Sequence, residues 1–391
     1  MDFLIFVTFT FTFTFTFTHM HTLFVKQHSC LYVCMILILP LMVSESIPLI
    51  VDHKFRIVQF TDVHIGNNDR TIDTVHLMSS ILDIELPNMA ILTGDVVTGD
   101  DLQGDLFRPA WEFATRPMRQ HNIPWAVAIG NHDMKGTLDQ TDIIALDQSY
   151  QGSLTQSWPY MVSLFIGSKM VAGLVMLDIT NGPCVGYIGE PCVPSTSVEW
   201  LRHTAQQLGH IPLFLFFHVP IPQFVDVYRQ MPTAGQELET VKCPLVDTGL
   251  YDVAMEHNVV AMFVGHDHLN DWCGQTKSKI TLCYGRKTGH GFYSPTVLGA
   301  RIIEIKYNQS HGLTWSTWIR EENGNIANQI AHDPSDHSGI DQNRCGDFWI
   351  RLVNELPWIL AIILFVATII IGLLIWICRC RKRKCLQLCL I

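Results

Sequence analysis

Five short stretches of this chain carry side chains able to bind a cation: Asp62-Val63-His64, Gly94-Asp95, Gly130-Asn131-His132-Asp133, His218 and Gly265-His266-Asp267-His268. Asp62 and His64 are two residues apart, as are His266 and His268, so at a strand end each pair can face one way. Carboxylate oxygen, imidazole nitrogen and amide oxygen together suit ions such as Zn, Fe or Mn. Asp95, directly after a glycine that lets the backbone turn sharply, is the natural bridge between two ions. Two ions ~3.5–4 Å apart clamp the attacking and leaving oxygens of an in-line phosphoryl displacement and acidify a water between them. Each stretch is weak alone. A single histidine is more often a core or surface residue, Gly-Asp is common, and Gly-Asn-His-Asp can be only a turn. Their order and placement together are what imply a two-metal site.

Each stretch follows a short apolar run. Residues 55–61, 89–93, 124–129, 213–217 and 259–264 read as buried strands, and residues 71–86, 105–121 and 197–208 as helices. The pattern is that of an α/β protein, in which ligands bind beyond the carboxyl ends of the strands. Residues 158–165 and 170–178 read as paired strands, and 279–284, 300–307 and 313–319 as further strands. These bounds place a catalytic body at 52–320 and a polar juxtamembrane stalk at 321–355.

Composition narrows the setting. The net charge is −10, with no long basic stripe, so no nucleic-acid partner is expected. Residues 356–378 hold no charge, with Trp358 and Trp376 near the two ends, and read as a transmembrane helix. Arg379, Arg381, Lys382, Arg383 and Lys384 follow, so the tail 379–391 is expected in the cytosol and the body outside it, a single-pass type I arrangement. At the other end, residues 1–46 combine an alternating Thr-Phe run, an apolar run at 31–43 after Lys26, and small residues at Ser44 and Ser46. This reads as low-complexity sequence before a signal peptide, with Met20 or Met35 as alternative starts. Six cysteines remain between the two apolar ends, enough for three disulfides, with Cys184 and Cys192 the favoured pair. Asn308-Gln309-Ser310 is a glycosylation sequon.

The order DxH, GD, GNHD, H and GHDH resembles the calcineurin-like metallophosphoesterases over residues 55–319. Leu92-Thr93-Gly94-Asp95-Val96-Val97, Phe217-His218-Val219-Pro220 and Leu282-Cys283-Tyr284-Gly285-Arg286-Lys287 read closest to the purple-acid-phosphatase-like group of plants and fungi. The resemblance implies a four-layer α/β/β/α sandwich. It implies one ion on Asp62, His64, Asp95 and His268, a second on Asp95, Asn131, His218 and His266, and His132 protonating the leaving oxygen or steadying transition-state charge. Asp133 either orients His132 or holds a turn. Purple acid phosphatases carry a ligating Tyr three residues after the bridging Asp. Thr98 stands there, so no tyrosinate–iron centre is expected, and the pair is drawn from Fe, Zn, Mn or Mg. The larger plant enzymes also carry an N-terminal β-sandwich, which is not expected in the few residues before the first motif.

Arg286 and His290, with Lys287, sit among Gly285, Gly289 and Gly291 and are candidates to approach a substrate phosphate, a glycine-rich surface turn being the alternative. Asn270 and Asp271 are either supports for the ligands or loop residues, and Asp100-Asp101 read as solvated charges. The expected activity is phosphomonoester hydrolysis on a phosphate-ester substrate. Phosphodiester or pyrophosphate hydrolysis, or an idle binding domain, are the rival readings.

Overall fold

The computed structural model describes residues 46–66, 70–102, 104–184, 186–334, 345 and 348–388; the Thr-Phe run and the signal-like run lie outside them. Two sheets organise the chain. The smaller has the order β13 (Gly312–Glu321), β12 (Gly299–Asn308), β2 (Lys54–Phe60), β3 (Met89–Thr93), β4 (Trp125–Ala128), with β2, β3 and β4 parallel. The larger has the order β1 (Ser46–Ile50), β5 (Tyr160–Ile166), β6 (Lys169–Met176), β7 (Leu213–Phe216), β9 (Val259–Val264), β11 (Thr281–Tyr284), β10 (Cys273–Gln275), β8 (Thr233–Ala234), β14 (Ala331–His332). Its central run β6-β7-β9-β11 is parallel.

Side-chain alternation sets the layers. Along β2 and β3, Phe55, Ile57, Met89 and Ile91 join one core with Phe214, Phe216, Ala261 and Phe263 of β7 and β9. Val58, Phe60, Ala90 and Leu92, one step out of phase, join a second core with the helices. A period of two thus makes each strand apolar on both faces, the mark of a sheet covered on both sides. Gln59 is the polar exception in the inner layer. Its Nε2 donates to Thr93 Oγ1 at 2.9 Å and to the carbonyl of Val264 on β9 at 3.0 Å, joining the two sheets just behind their carboxyl ends.

The helices present apolar residues three and four apart. Helix α1 (Thr71–Glu85) buries Val75, Met78, Ile81 and Leu82, and stops at Leu86, left-handed before Pro87. Helix α2 (Phe107–Gln120) buries Ala110, Trp111, Ala114 and Met118. The helices α3 (Gln140–Gln148), α4 (Ser195–Leu208), α5 (Gln223–Gln230) and α6 (Leu250–Glu256) complete the body. Helix α7 (Phe348–Leu388) contains Leu356–Trp376, 21 residues of mean hydropathy 3.1, long and apolar enough to cross a membrane.

Two expected boundaries move. Ser46, read as the last residue of the leader, begins β1, which occupies the residues ahead of the expected body and pairs in register with β5. Within the expected stalk, β14 pairs with β8, and Cys345 is joined to Cys243. A two-residue strand is too short to leave a periodic signal, and a disulfide partner cannot be read from spacing. The other disulfides are the favoured Cys184–Cys192 and the cross-strand Cys273–Cys283. Because the Cys243–Cys345 bridge spans a sequence separation of 102 residues, replacing both cysteines by serine is expected to lower stability by about 2–4 kcal/mol. The urea midpoint of the full chain in detergent measures this, and an unchanged midpoint would show that the bridge is idle.

Candidate metal centre

The first three site stretches leave the parallel strands β2, β3 and β4, and the last two leave β7 and β9 of the other sheet. Convergence therefore takes two sheets meeting at their carboxyl ends, not one open sheet. Just past the strands the backbone turns into the left-handed region at Asp62 (φ 51°), His64 (49°), Asp95 (49°) and His266 (75°). Such conformations are costly for residues with a Cβ and persist only where the surroundings enforce them. Here backbone pairing does so: Asp62 N donates to Gly94 O at 3.1 Å and His64 N to Asp95 O at 2.9 Å. Gly94 (φ 83°) has no room for a side chain, since a Cβ there would stand 2.5 Å from His218 Nδ1.

Two groups of donor atoms result. Asp62, His64, Asp95 and His268 form one and Asp95, His218 and His266 the other, the atoms of each lying within 4.8 Å of one another, with Asp95 common to both. His64 Nε2 lies 3.2 Å from His268 Nε2 and 3.6 Å from Asp95 Oδ2. His268 Nε2 is 3.4 Å from Asp62 Oδ1, and His218 Nε2 is 3.1 Å from Asp95 Oδ2. The opposite ring nitrogens are engaged: His218 Nδ1 with Thr93 O at 2.8 Å, His268 Nδ1 with Tyr293 O at 2.9 Å, and His64 Nδ1 with Thr98 Oγ1 at 3.2 Å. A carbonyl accepts only from an N–H, so His218 and His268 each donate outward from Nδ1 and turn Nε2 toward the cluster, the outer-layer arrangement usual for metal-ligating histidine.

Charge points the same way. Burial raises the cost of ionising Asp62, yet the neighbouring His268 and His218 hold its carboxyl below the usual range; Asp95 is held well below it by His218, His64 and His132. Burial opposes a charge on His218, but Asp95 and Asp62 pull it up to about 10. The cluster is a buried anionic centre that gathers positive charge. Among the described residues, one of its buried polar atoms, Asn131 Oδ1, has no hydrogen-bond partner, while His218 Nε2 faces only the Asp95 and Asp62 carboxylates. Buried polar atoms are seldom left unmatched, and an amide oxygen and an imidazole nitrogen beside two carboxylates fit a cation.

The sequence pattern of calcineurin-like phosphoesterases matches residues 55–270, more than half of the chain. The protein belongs to the calcineurin-like phosphoesterase family. Similar proteins include "Probable inactive purple acid phosphatase 28" of Arabidopsis thaliana, 27% identical over 73% of this chain and 85% of that one. "Probable inactive purple acid phosphatase 29" of the same plant is 25% identical over 71% and 85%. "Phosphatase DCR2" of Saccharomyces cerevisiae is 28% identical over 67% of this chain and 53% of that one. Among solved structures, a dimetal phosphatase from Danio rerio is similar at 13% identity and a TM-score of 0.48, covering 67% of this chain and 98% of that one.

In this calcineurin-like phosphoesterase, the position of the purple-enzyme tyrosine holds Thr98, a buried hydroxyl that touches the outer nitrogen of His64. His132 stands at the edge of the cluster, with its backbone N–H donating to Asp95 Oδ1 at 2.8 Å. Its ring Nδ1 meets Asp100 Oδ2 at 3.1 Å, so the group that orients it is Asp100, one of the pair read as solvated charge. Asp133 does not orient His132. It is buried and accepts from Val97 N and Gly130 N, both at 2.9 Å, which makes it a clamp on two site loops.

Arg286 is also placed otherwise. Buried, it donates to Asp271 Oδ2 and to Val297 O, away from the cluster, because desolvating a guanidinium requires a fixed partner. Asp271 in turn accepts from Gln236 N, and Asn270 accepts from Leu238 N and Glu239 N, so both are loop-holding residues. His290 faces Thr74 Oγ1 at 3.3 Å and Glu322 at 3.7 Å. Lys287 is buried behind Asp62 and donates to its carbonyl at 2.9 Å; burial brings its ammonium down to about 8.

Glu190 went unread. The loop between Cys184 and Cys192 carries it to His266, with Oε2 3.1 Å from Nε2. A carboxylate on a metal-ligating imidazole fixes ring orientation, and losing one typically costs 10–100-fold in metal affinity. Glu190→Gln is therefore expected to weaken cation binding about tenfold at unchanged fold. Competition with a fluorescent chelator measures this, and wild-type affinity in the variant would deny Glu190 the role.

Proposed function

We propose that this protein is a metal-dependent phosphomonoesterase, tethered by one membrane helix with its site on the lumenal or outer side. The observation that carries the reading is Asp95 shared between two donor groups, with the buried Asn131 Oδ1 beside it lacking a hydrogen-bond partner among the described residues. In this reading one ion is held by Asp62, His64, Asp95 and His268, and the other by Asp95, Asn131, His218 and His266, with Fe, Zn, Mn or Mg as occupants. Such a pair supplies Lewis-acid polarisation of phosphoryl oxygens and acidifies water at neutral pH.

The chain's own residues do the rest. Asp133 fixes the loops on either side of Asp95 through the backbone of Val97 and Gly130. Asp100 holds the His132 ring at the cluster edge through Nδ1, leaving Nε2 to donate to the leaving oxygen or to transition-state charge in this reading. Burial lowers the His132 imidazole from its ordinary value, countered by Asp95 and Asp100. A bound phosphate dianion adds to that counterweight. The names of the relatives point both ways, two of those cited being called inactive and one a phosphatase. The complete donor set of this chain favours activity.

The full chain in detergent, supplied with Mn, Zn or Fe, is expected to hydrolyse para-nitrophenyl phosphate faster than its bis-ester. Asp95→Asn is expected to lose both the bound metal and at least about a thousandfold in kcat/KM, since it removes the shared ligand. Faster cleavage of the bis-ester would favour diester chemistry. A folded protein that takes up no metal and stays inactive would leave only the idle binding domain.

Orientation is supported by the basic residues after Trp376 and by three disulfides, which persist in oxidising compartments. Asn308 lies exposed at the turn between β12 and β13. In a plant or fungal host, glycosidase treatment is expected to shift the wild type on a gel and not Asn308→Gln. Digestion of the body by protease added from the cytosolic side would refute the orientation.

A further inference from the structure

Phe292 lies directly on the cluster. Its ring stacks on His64 with centroids 4.6 Å apart and meets His132 edge-on at 4.9 Å, and the residue is 49% exposed. It holds a φ of 62°, a left-handed backbone that an aromatic residue rarely adopts. Both sides of the residue are anchored: His290 N donates to Thr74 Oγ1 at 3.0 Å, and Tyr293 O accepts from His268. Gly291 runs so close to His64 that a Cβ would stand 2.5 Å from its carbonyl. The loop thus presses an aromatic ring against a candidate ligand and leaves much of the ring in solvent. The core does not need the ring, and solvation does not favour it. Strain kept at such a place marks a contact made with something else.

We propose that Phe292 is a specificity residue, the platform for an aromatic alcohol group of the phosphate ester. This rests on the reading of the cluster as a phosphate-ester site and names which esters it prefers. In the proposed reaction His132 meets the leaving oxygen, and Phe292 touches His132, so the carbon group on that oxygen would fall against the exposed part of the residue. Aromatic groups gain most there through stacking, whereas a polyhydroxylated alcohol gains little and loses hydration. Tyr293, 45% exposed and stacked on His268 at 4.3 Å, extends the aromatic surface beside it.

The test uses the full chain in detergent, loaded with Mn or Zn, and two phosphonates that cannot be hydrolysed. The wild type is expected to bind phenylphosphonate about five- to tenfold more tightly than methylphosphonate by calorimetry. In Phe292→Ala that ratio is expected to fall close to one, and in Phe292→Leu to an intermediate value, with the metal content of each preparation checked by mass spectrometry. The ratio of kcat/KM for phenyl phosphate over glycerol 2-phosphate is expected to fall in step. An equal ratio in wild type and both variants, or no binding of either phosphonate by the wild type, overturns the proposal. If the wild type hydrolyses neither ester yet shows the Phe292-dependent binding preference, the phosphatase reading fails and the platform stands.

Discussion

Asp95 is an ionised carboxylate kept almost wholly out of water, and the rest of the site follows from that constraint. Desolvating a charge costs several kcal/mol unless partners match it. The matching here is distributed. One oxygen accepts the backbone N–H of His132, the other lies near His64 and His218, and the loops that bring these partners are held by Asp133 and by the left-handed turns. Asp62 repeats the arrangement one strand away, accepting from His266 N and backed by Lys287 at its carbonyl. Two buried carboxylates so near each other repel. The four imidazoles and the unmatched amide oxygen form a shell that a cation would satisfy better than protons, because His64 and His268 present two nitrogens to each other only 3.2 Å apart.

The strand ends were legible because their signal is local. An apolar run followed by a short polar cluster states both the strand and its exit, and all five such runs form strands that end within one residue of the expected limit. The order of the motifs then gave the family. What stayed hidden depends on distant contacts. Asp100 looked like a solvated acid because nothing near it in sequence announces His132. Glu190 reaches His266 across 76 positions through a disulfide-closed loop. Arg286 was drawn toward phosphate by its glycine neighbours, whereas Asp271 and the Val297 carbonyl claim it. The division into two sheets followed from the family resemblance and not from the apolar runs themselves. Apolar strands buried on both faces look the same in sequence whichever sheet they join.

Backbone strain at the site and order in the sheets are complementary. Left-handed residues gather immediately beyond β2, β3 and β9, where Gln59 joins the sheets and backbone pairing continues past the strand limits. A loop free to relax would let Asp62 or His266 swing out of the cluster. The positions of the carboxylates thus rest on the stiffness of the sheets behind them, and the aromatic loop at Phe292 and Tyr293 covers the front.

The Cys243–Cys345 bridge also sets a path for mechanical load. Helix α7 begins three residues after Cys345, and Cys243 directly follows Lys242, whose ammonium meets Glu239 and the Tyr293 hydroxyl. A displacement of the helix would reach the body first at Cys345, and the bridge would pass it covalently to the segment at Lys242-Cys243. The long apolar helix and the rim of the site are in this sense joined by one covalent link, and the Lys242–Tyr293 contact is the side-chain contact nearest to it on the body's side.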